Sequence, residues 1–380
     1  MNKHERLILD ILAQNPMLSQ NDLADRLKIT RSSVSVYISH LMQMGYIRGR
    51  GYLLEDQKTI YIIGSVGIDY RTVIDDTPPF SFAETTMLED CELTVSYGGI
   101  ARNLADTFLC LGFNVSCLSA VGTDTLGKEL LEDCRKSGID VEDMLIVPAA
   151  KSSTYLEVRS LDLSRILLSS SNMRLQRTLT PEYLATKRHK LNHAQCIIME
   201  DGLSSNALQY LSSTYSPTYM VCTKPVRTNR YVKFLNQLNG IILQPEIAWS
   251  LMGKTGKCPT DNDSIYRIVK SLKQQLNGPI LLCYGTNQFC FADDTAVTLC
   301  SYHCEKQLPM TYSHYRDTTA AGFIYCLLEH KTAEDLLRFV SACRCIICGN
   351  ISFVNRKICL ELIDSICKYM TFDFLCYPNK

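Results

Sequence analysis

Residues 98–112 read Gly98-Gly99-Ile100-Ala101-Arg102-Asn103-Leu104-Ala105-Asp106-Thr107-Phe108-Leu109-Cys110-Leu111-Gly112, a glycine pair leading an apolar stretch that another glycine closes. On both sides of it the chain alternates between short apolar runs and helical patterns. Tyr61-Ile62-Ile63-Gly64 reads as a buried strand, Val115 to Val121 as another, and Gly127 to Ser137 as a helix. Ala194 to Met199, Thr218 to Cys222, Gly240 to Leu243 and Pro279 to Cys283 read as further strands. Thr318 to Glu329 and Thr332 to Cys348 read as helices. Such alternation from Thr59 onward argues for a mostly parallel sheet covered on both faces.

The chain has 380 residues, more than one ordinary domain needs. With 46% hydrophobic and 21% charged residues it has the balance of a folded protein and not of a disordered or fibrous one. Its 39 basic and 39 acidic side chains cancel, so no whole-chain field gathers it onto nucleic acid or membrane, and any such contact is local. No apolar run reaches the roughly 18 residues of a spanning helix, and the N-terminus shows no secretory pattern. The 18 cysteines lie scattered in apolar segments and read as reduced, buried thiols of a cytoplasmic protein without membrane contact.

The front of the chain has its own pattern. Leu7, Ile8, Ile11 and Leu12 share a helical face, Ser19 can cap a second helix carrying Leu23, Ala24 and Leu27, and Thr30 can cap a third. That third helix, Arg31 to Met44, turns Val34, Ile38, Leu41 and Met42 inward and Arg31, Ser32, Ser33, Ser35 and Tyr37 outward. Residues 46–54 then read as two short strands around a turn bearing Arg48 and Arg50. Between Arg26 and Leu54 there are five basic residues and no acid. Three helices and a small hairpin resemble the winged helix-turn-helix family. The resemblance implies a domain over residues 1–55 that binds double-stranded DNA, with Arg31, Ser32, Ser33 and Tyr37 on the recognition helix and Arg48 and Arg50 on the wing. A trihelical packing or dimerisation module is the alternative.

Behind it, Gly64-Ser65-Val66-Gly67-Ile68-Asp69, the Gly98–Gly112 stretch and Val121-Gly122-Thr123-Asp124-Thr125-Leu126-Gly127 resemble three blocks of the PfkB (ribokinase-like) sugar and nucleoside kinases. Arg102 is similar to the pseudouridine-kinase-like branch. The resemblance covers residues 59–370 and implies an α/β, ribokinase-like three-layer sandwich with a β-strand lid near 70–97 and 152–170. The lid of this family often clasps a second subunit, so a homodimer is expected. The resemblance makes Asp69, Gly98, Gly99 and Asn103 a site for a small sugar or nucleoside: the glycines let the backbone approach it and Asn103 bonds its hydroxyls. Turn-capping and backbone bonding remain the structural alternatives for Asp69 and Asn103, and helix capping for Asp124.

Phosphoryl transfer needs positioned phosphates, a metal and a base. The family supplies an anion hole and the base with Asp-Thr-Thr-Gly-Ala-Gly-Asp, where this chain has Asp317-Thr318-Thr319-Ala320-Ala321-Gly322-Phe323. Aligned without a gap, Phe323 stands at the base position; alternatively the loop is deleted. Both alignments leave the catalytic base unfilled, with Asp317 or His314 as substitutes. The family's Asn-x-x-Glu falls on Gln244 and Ile247, with Glu246 one residue off, and an isoleucine cannot organise Mg²⁺-bound water. Gly285 survives in the nucleotide-side segment, where Gln288 replaces a common glycine. Gly285, Thr318, Thr319 and Gly322 are the candidate nucleotide contacts.

Cys343-x-Cys345-x-x-Cys348 invites a metal reading, but a tetrahedral site needs four ligands, and buried thiols are the simpler account. No metal site is expected, and Trp249 reads as core packing. The resulting expectation is a DNA-binding transcriptional regulator whose ribokinase-like domain senses a sugar or nucleoside without turning it over. The alternative is a working kinase that uses ATP and Mg²⁺, and a third reading makes the large domain a dimerisation scaffold.

Overall fold

The computed structural model describes residues 3–43, 46–47, 59–74, 91–161, 165–304, 315–348 and 358–379. The chain divides into two compact units, Met1–Lys58 and Thr59–Lys380.

The first unit contains α1 (Lys3–Gln14), α2 (Gln20–Leu27) and α3 (Arg31–Gln43). Ser19 and Asp22 form a reciprocal capping box at the start of α2, with Asp22 N–H on Ser19 Oγ at 3.2 Å and Ser19 N–H on Asp22 Oδ2 at 2.9 Å. Ile8, Leu12, Leu23, Val34, Ile38, Leu41 and Ile47 form its core. Leu7 and Met42, expected inside, are each 38% exposed. The apolar stripe is wider than the seam three short helices can cover, and its flanks stay outside. Arg48 and Arg50 lie outside the described residues.

The second unit opens with β1 (Ile60–Ile63), β2 (Gly67–Ile74), β3 (Leu93–Gly98), α4 (Ile100–Cys110), β4 (Val115–Leu118), β5 (Ala120–Gly122) and α5 (Thr125–Lys136). There follow β6 (Leu145–Val147), β7 (Thr154–Ser160), β8 (Ile166–Asn172), α6 (Pro181–Thr186), α7 (Arg188–Asn192), β9 (Cys196–Glu200), α8 (Ser205–Thr214) and β10 (Thr218–Val221). The remainder is β11 (Gly240–Leu243), α9 (Pro245–Leu251), α10 (Asn262–Lys273), β12 (Ile280–Tyr284), β13 (Gln288–Ala292), β14 (Ala296–Cys304), α11 (Tyr315–Leu328), α12 (Ala333–Cys348), α13 (Leu360–Cys367) and β15 (Met370–Pro378).

Nine strands make the main sheet in the order β4-β1-β9-β10-β11-β12-β13-β14-β15. The first six are mutually parallel and the last three add as antiparallel strands. Successive residues of β1 point to opposite cores. Ile60 and Ile62 pack with α4, α5, α11 and α12, whereas Tyr61 and Ile63 pack with α8, α9 and α10. The result is three layers, helices on both faces of one sheet.

A separate sheet of order β3-β2-β7-β8 carries an inner and an outer face. Register sets Asp69 beside Tyr155 and Arg71 beside Glu157. Glu157 is buried and held by Arg71 at 3.1 Å, by Arg159, and by the Tyr155 hydroxyl at 2.7 Å. Burial raises its carboxyl, but these hydrogen bonds and charges outweigh that and hold it below its ordinary range.

Candidate functional site

The site is assembled where β1 and β9 of the main sheet end beneath the second sheet. After β1, Ser65 is clamped by the buried Glu200 at the end of β9, which accepts from Ser65 N–H at 2.8 Å and from Ser65 Oγ at 2.7 Å. Ser65 in turn caps α4: its carbonyl accepts from Ala101 N–H at 3.0 Å and its hydroxyl from Ile100 N–H at 3.2 Å. This close approach explains the glycine pair. Gly99 has φ +96°, and a Cβ there would lie 2.5 Å from the Ser65 carbonyl oxygen. A Cβ on Gly98 would lie 2.0 Å from Asp69 Oδ2, so the missing side chain is the space the carboxylate occupies.

Asp69 on β2 is 4% exposed, and its carboxyl has no hydrogen-bond partner among the described residues. Burial pushes it up to about 7, opposed by Arg71 and reinforced by Asp317 and Glu157. Asn103, on α4, donates through Nδ2 to Asp317 Oδ2 at 2.9 Å, and its Oδ1 is buried without a partner. Asp317, the third residue of α11, receives Arg316 Nε at 3.2 Å on its other oxygen. Burial raises Asp317, and Arg316 and Asn103 pull it back down. These groups open onto a cleft of about 390 Å³ that Tyr155, Ser169, Glu200, Lys224, Gln244 and Arg316 also line. Two unpartnered acceptors beside a helix-start carboxylate suit a ligand rich in hydroxyl donors.

The other candidate residues take separate places. The start of α11 does hold a carboxylate, Asp317. Phe323 lies six residues deeper in the helix, 1% exposed and edge-on to Phe291 at 6.3 Å, and takes no part in the cleft. Six helical steps of about 100° turn it to a different side of the helix from Asp317. Thr318 and Thr319 are buried, and Gly322 packs on α12, where a Cβ would meet Cys343 Sγ at 3.0 Å; none of the three lines the cleft. Gly285, in the β12–β13 turn at φ +59°, also lies apart from it and gives its carbonyl to Arg344 at 3.1 Å. Ile247 is in the core and Glu246 is exposed. His314 lies outside the described residues. Asp124 caps α5 through Gly127 N–H at 3.1 Å and binds Ser152.

Arg102 turns away from the cleft to Asp106 at 3.0 Å and to Asp133. Trp249 is half-buried and donates to Thr255 O at 3.1 Å. Cys343 and Cys345 are buried thiols, and no group of three metal-ligating side chains lies together among the described residues. On α3, Arg31 and Ser32 are exposed, whereas Ser33 turns back to Thr30 Oγ1 at 2.8 Å and Tyr37 is half-buried, stacked on His4 at 5.7 Å. Tyr155, Ser169, Glu200, Lys224 and Arg316 were not read from the sequence. They come from separate strand ends and one helix start, and only the acidic pair Glu200-Asp201 closing an apolar strand gives a local signal.

A parallel sheet layered between helices, a second sheet over its strand ends and a carboxylate at a helix start define a ribokinase-like domain, and a helix-turn-helix unit precedes it. Residues 1–48 match the family described as winged helix-turn-helix DNA-binding, and residues 57–216 match the pfkB family of carbohydrate kinases. The two likenesses follow one another along the chain, the winged helix-turn-helix match falling on the first unit and the pfkB match opening the second. An Escherichia coli K12 protein named uncharacterized sugar kinase YeiI is 29% identical over 360 residues, spanning 91% of this chain and 93% of that one. The pseudouridine kinase of the same strain is 23% identical over 290 residues, spanning 76% and 90%. Among solved structures, a carbohydrate kinase from Agrobacterium tumefaciens superposes with TM-score 0.67 at 16% identity, over 84% of this chain and all of that one (100%). A Thermotoga maritima ribokinase gives 0.66 at 14% identity, over 82% of this chain and 100% of that one. No described helix is long and apolar enough to cross a membrane.

Proposed function

We propose that this chain is a DNA-binding regulator whose PfkB domain binds a sugar or nucleoside between Asp69, Asn103 and Asp317 and serves transfer of a phosphoryl group to one of its hydroxyls. The 2.9 Å hydrogen bond from Asn103 to Asp317 carries this reading, because it sets the helix-start carboxylate beside the ligand acceptors. Asp69 and Asn103 Oδ1 accept from ligand hydroxyls and orient the sugar. Asp317, raised by burial, takes the proton of the attacking hydroxyl. ATP supplies the phosphoryl group in this chemistry. On α9 Ile247 is in the core and the exposed Glu246 does not line the cleft, so that helix offers Mg²⁺ no carboxylate there.

A second reading, binding without turnover, is favoured by that same Ile247 and by Arg316 standing directly before the carboxylate. In both readings the exposed Arg31 and Ser32 of α3 meet DNA. The outer face of the lid, with Leu93, Val95, Leu156 and Leu168 between 36% and 55% exposed, supports a homodimer through the lid.

ADP release with Mg²⁺-ATP across a panel of nucleosides and sugars tests the reading in wild type and Asp317→Asn. Acceptor-dependent turnover is expected in wild type, falling by about a hundred-fold or more in the variant while ligand-induced thermal stabilisation persists. Stabilisation without turnover selects the second reading. Neither effect with any ligand overturns both.

A further inference from the structure

Val36 has no role in the packing of its own unit. It lies in the middle of α3 and is 66% exposed, although Val34, Ile38 and Leu41 of the same helix are buried in the core. At about 100° per residue it stands roughly 200° around the helix from both Val34 and Ile38, at the centre of the outward face. A β-branched side chain loses rotamer freedom in a helix and lowers its propensity, so an exposed valine works against the helix that carries it.

The chemistry around it narrows what could cover those methyl groups. Arg26 and Lys28 at the end of α2 and Arg31 at the start of α3 are exposed, and no acid occurs between Arg26 and Leu54. A basic surface of this kind suits a polyanion. The side chains that share the face with Val36 are short or engaged. Ser32 meets the Thr30 hydroxyl at 2.9 Å, Ser39 is exposed, and His40 is held at Nδ1 by Glu5 at 2.6 Å. A serine hydroxyl both donates and accepts, so it bonds to any base edge and selects little. Among the described side chains of this face, the valine methyl groups are what can tell one base pair from another, and they do so by shape. Of the four bases only thymine places a methyl group in the major groove.

We infer that Val36 is a specificity residue of the DNA-binding unit and packs its methyl groups on the 5-methyl group of a thymine in the major groove. The inference rests on the DNA-binding reading proposed above and adds to it the base that is preferred.

The test uses the full-length protein and a pool of duplexes of random sequence, from which the bound fraction is selected. Each thymine of a selected duplex is then replaced in turn by uracil, which deletes the 5-methyl group and nothing else. Anisotropy titrations at constant salt compare wild type with Val36→Ala on every duplex. At one thymine the replacement is expected to weaken wild type by about four-fold, the worth of one buried methyl group, and to leave Val36→Ala unchanged. Val36→Thr, which keeps one of the two methyl groups, is expected to respond less than wild type and more than Val36→Ala. Because Val36 is outside the core, Val36→Ala is expected to melt no lower than wild type. A clearly lower melting temperature overturns the inference by showing that the valine packs within its own unit. Equal effects of uracil on wild type and Val36→Ala at every position also overturn it, as does binding with no sequence preference, and in these cases the DNA-binding reading stands. Failure to bind any duplex of the pool overturns that reading together with this inference.

Discussion

Replacing Asp69 with asparagine changes how stability depends on pH, and the size of the change follows from its burial. In the folded protein its carboxyl is raised from 3.8 to about 7, with burial as the main cause. Between those values the native state holds a proton that the unfolded chain has released. The associated stability is therefore complete below 3.8 and is lost as pH rises through about 7. Each pH unit inside the window costs about 1.4 kcal/mol, so the interval from about pH 5 to about pH 7 costs about 2–3 kcal/mol and the whole window about 4 kcal/mol. Asn keeps the shape of the side chain and removes the titration. Asp69→Asn is thus expected to gain on wild type by about 2–3 kcal/mol across that interval, which for a domain of this size is roughly 3–5 °C in relative melting temperature. Scanning calorimetry of both proteins at about pH 5, 6, 7 and 8 measures it, since every other group titrates alike in the two. Parallel curves would refute the argument, because they require an Asp69 that is already ionised at acid pH. A hydroxyl ligand favours the charged form, so its affinity rises with pH over the same window.

Gly98→Ala places a methyl group 2.0 Å from Asp69 Oδ2 and must displace that carboxylate. Thermal unfolding should show a loss of about 1–3 kcal/mol and no ligand-induced shift, and a preserved shift would remove Asp69 from the site. Arg31→Ala, exposed in the first turn of α3, should weaken DNA binding across sequences and reduce the salt slope by about one phosphate contact in anisotropy titrations. An unchanged slope would take Arg31 off the DNA.

The parallel half of the main sheet was legible because strands buried on both faces read as unbroken apolar runs, as Ile60–Ile63, Cys196–Glu200 and Gly240–Leu243 do. The antiparallel extension was not. β14 and β15 pair along nine residues, yet β15 arrives from about seventy residues downstream, and its alternation of covered and exposed positions runs only from Met370 to Leu375 before it breaks at Cys376. The expected strand Val115 to Val121 is two strands, β4 and β5, broken at Ser119, whose hydroxyl donates to Gly64 O at 2.6 Å. That bond joins residues 55 positions apart, and no local rule announces it. In the small helical unit the caps were readable because Ser19 and Thr30 act within three residues of themselves.

The carboxylate at the start of α11 was legible only as a substitute for the base, for a related reason. The sequence Asp317-Thr318-Thr319 resembles the opening of the family's phosphate loop, and that likeness set the register that put Phe323 at the base position. A helix usually corrects such a slip through its apolar stripe, since only one phase places the polar residues outside. Every residue from Asp317 to Cys326 is buried, so α11 has no stripe, and the pattern cannot say where the helix begins or which way it is turned. Thr318 and Thr319, polar yet buried, add to the ambiguity. What fixes the phase is a partner 214 residues away, Asn103, whose Nδ2 meets Asp317 at 2.9 Å. The ligand half of the site was readable because Asp69, Gly98, Gly99 and Asn103 lie within one segment and constrain one another through their spacing. The acid half was not, because its identity is settled by packing between α4 and α11. The proposed role of Asp317 as the base rests on that one contact.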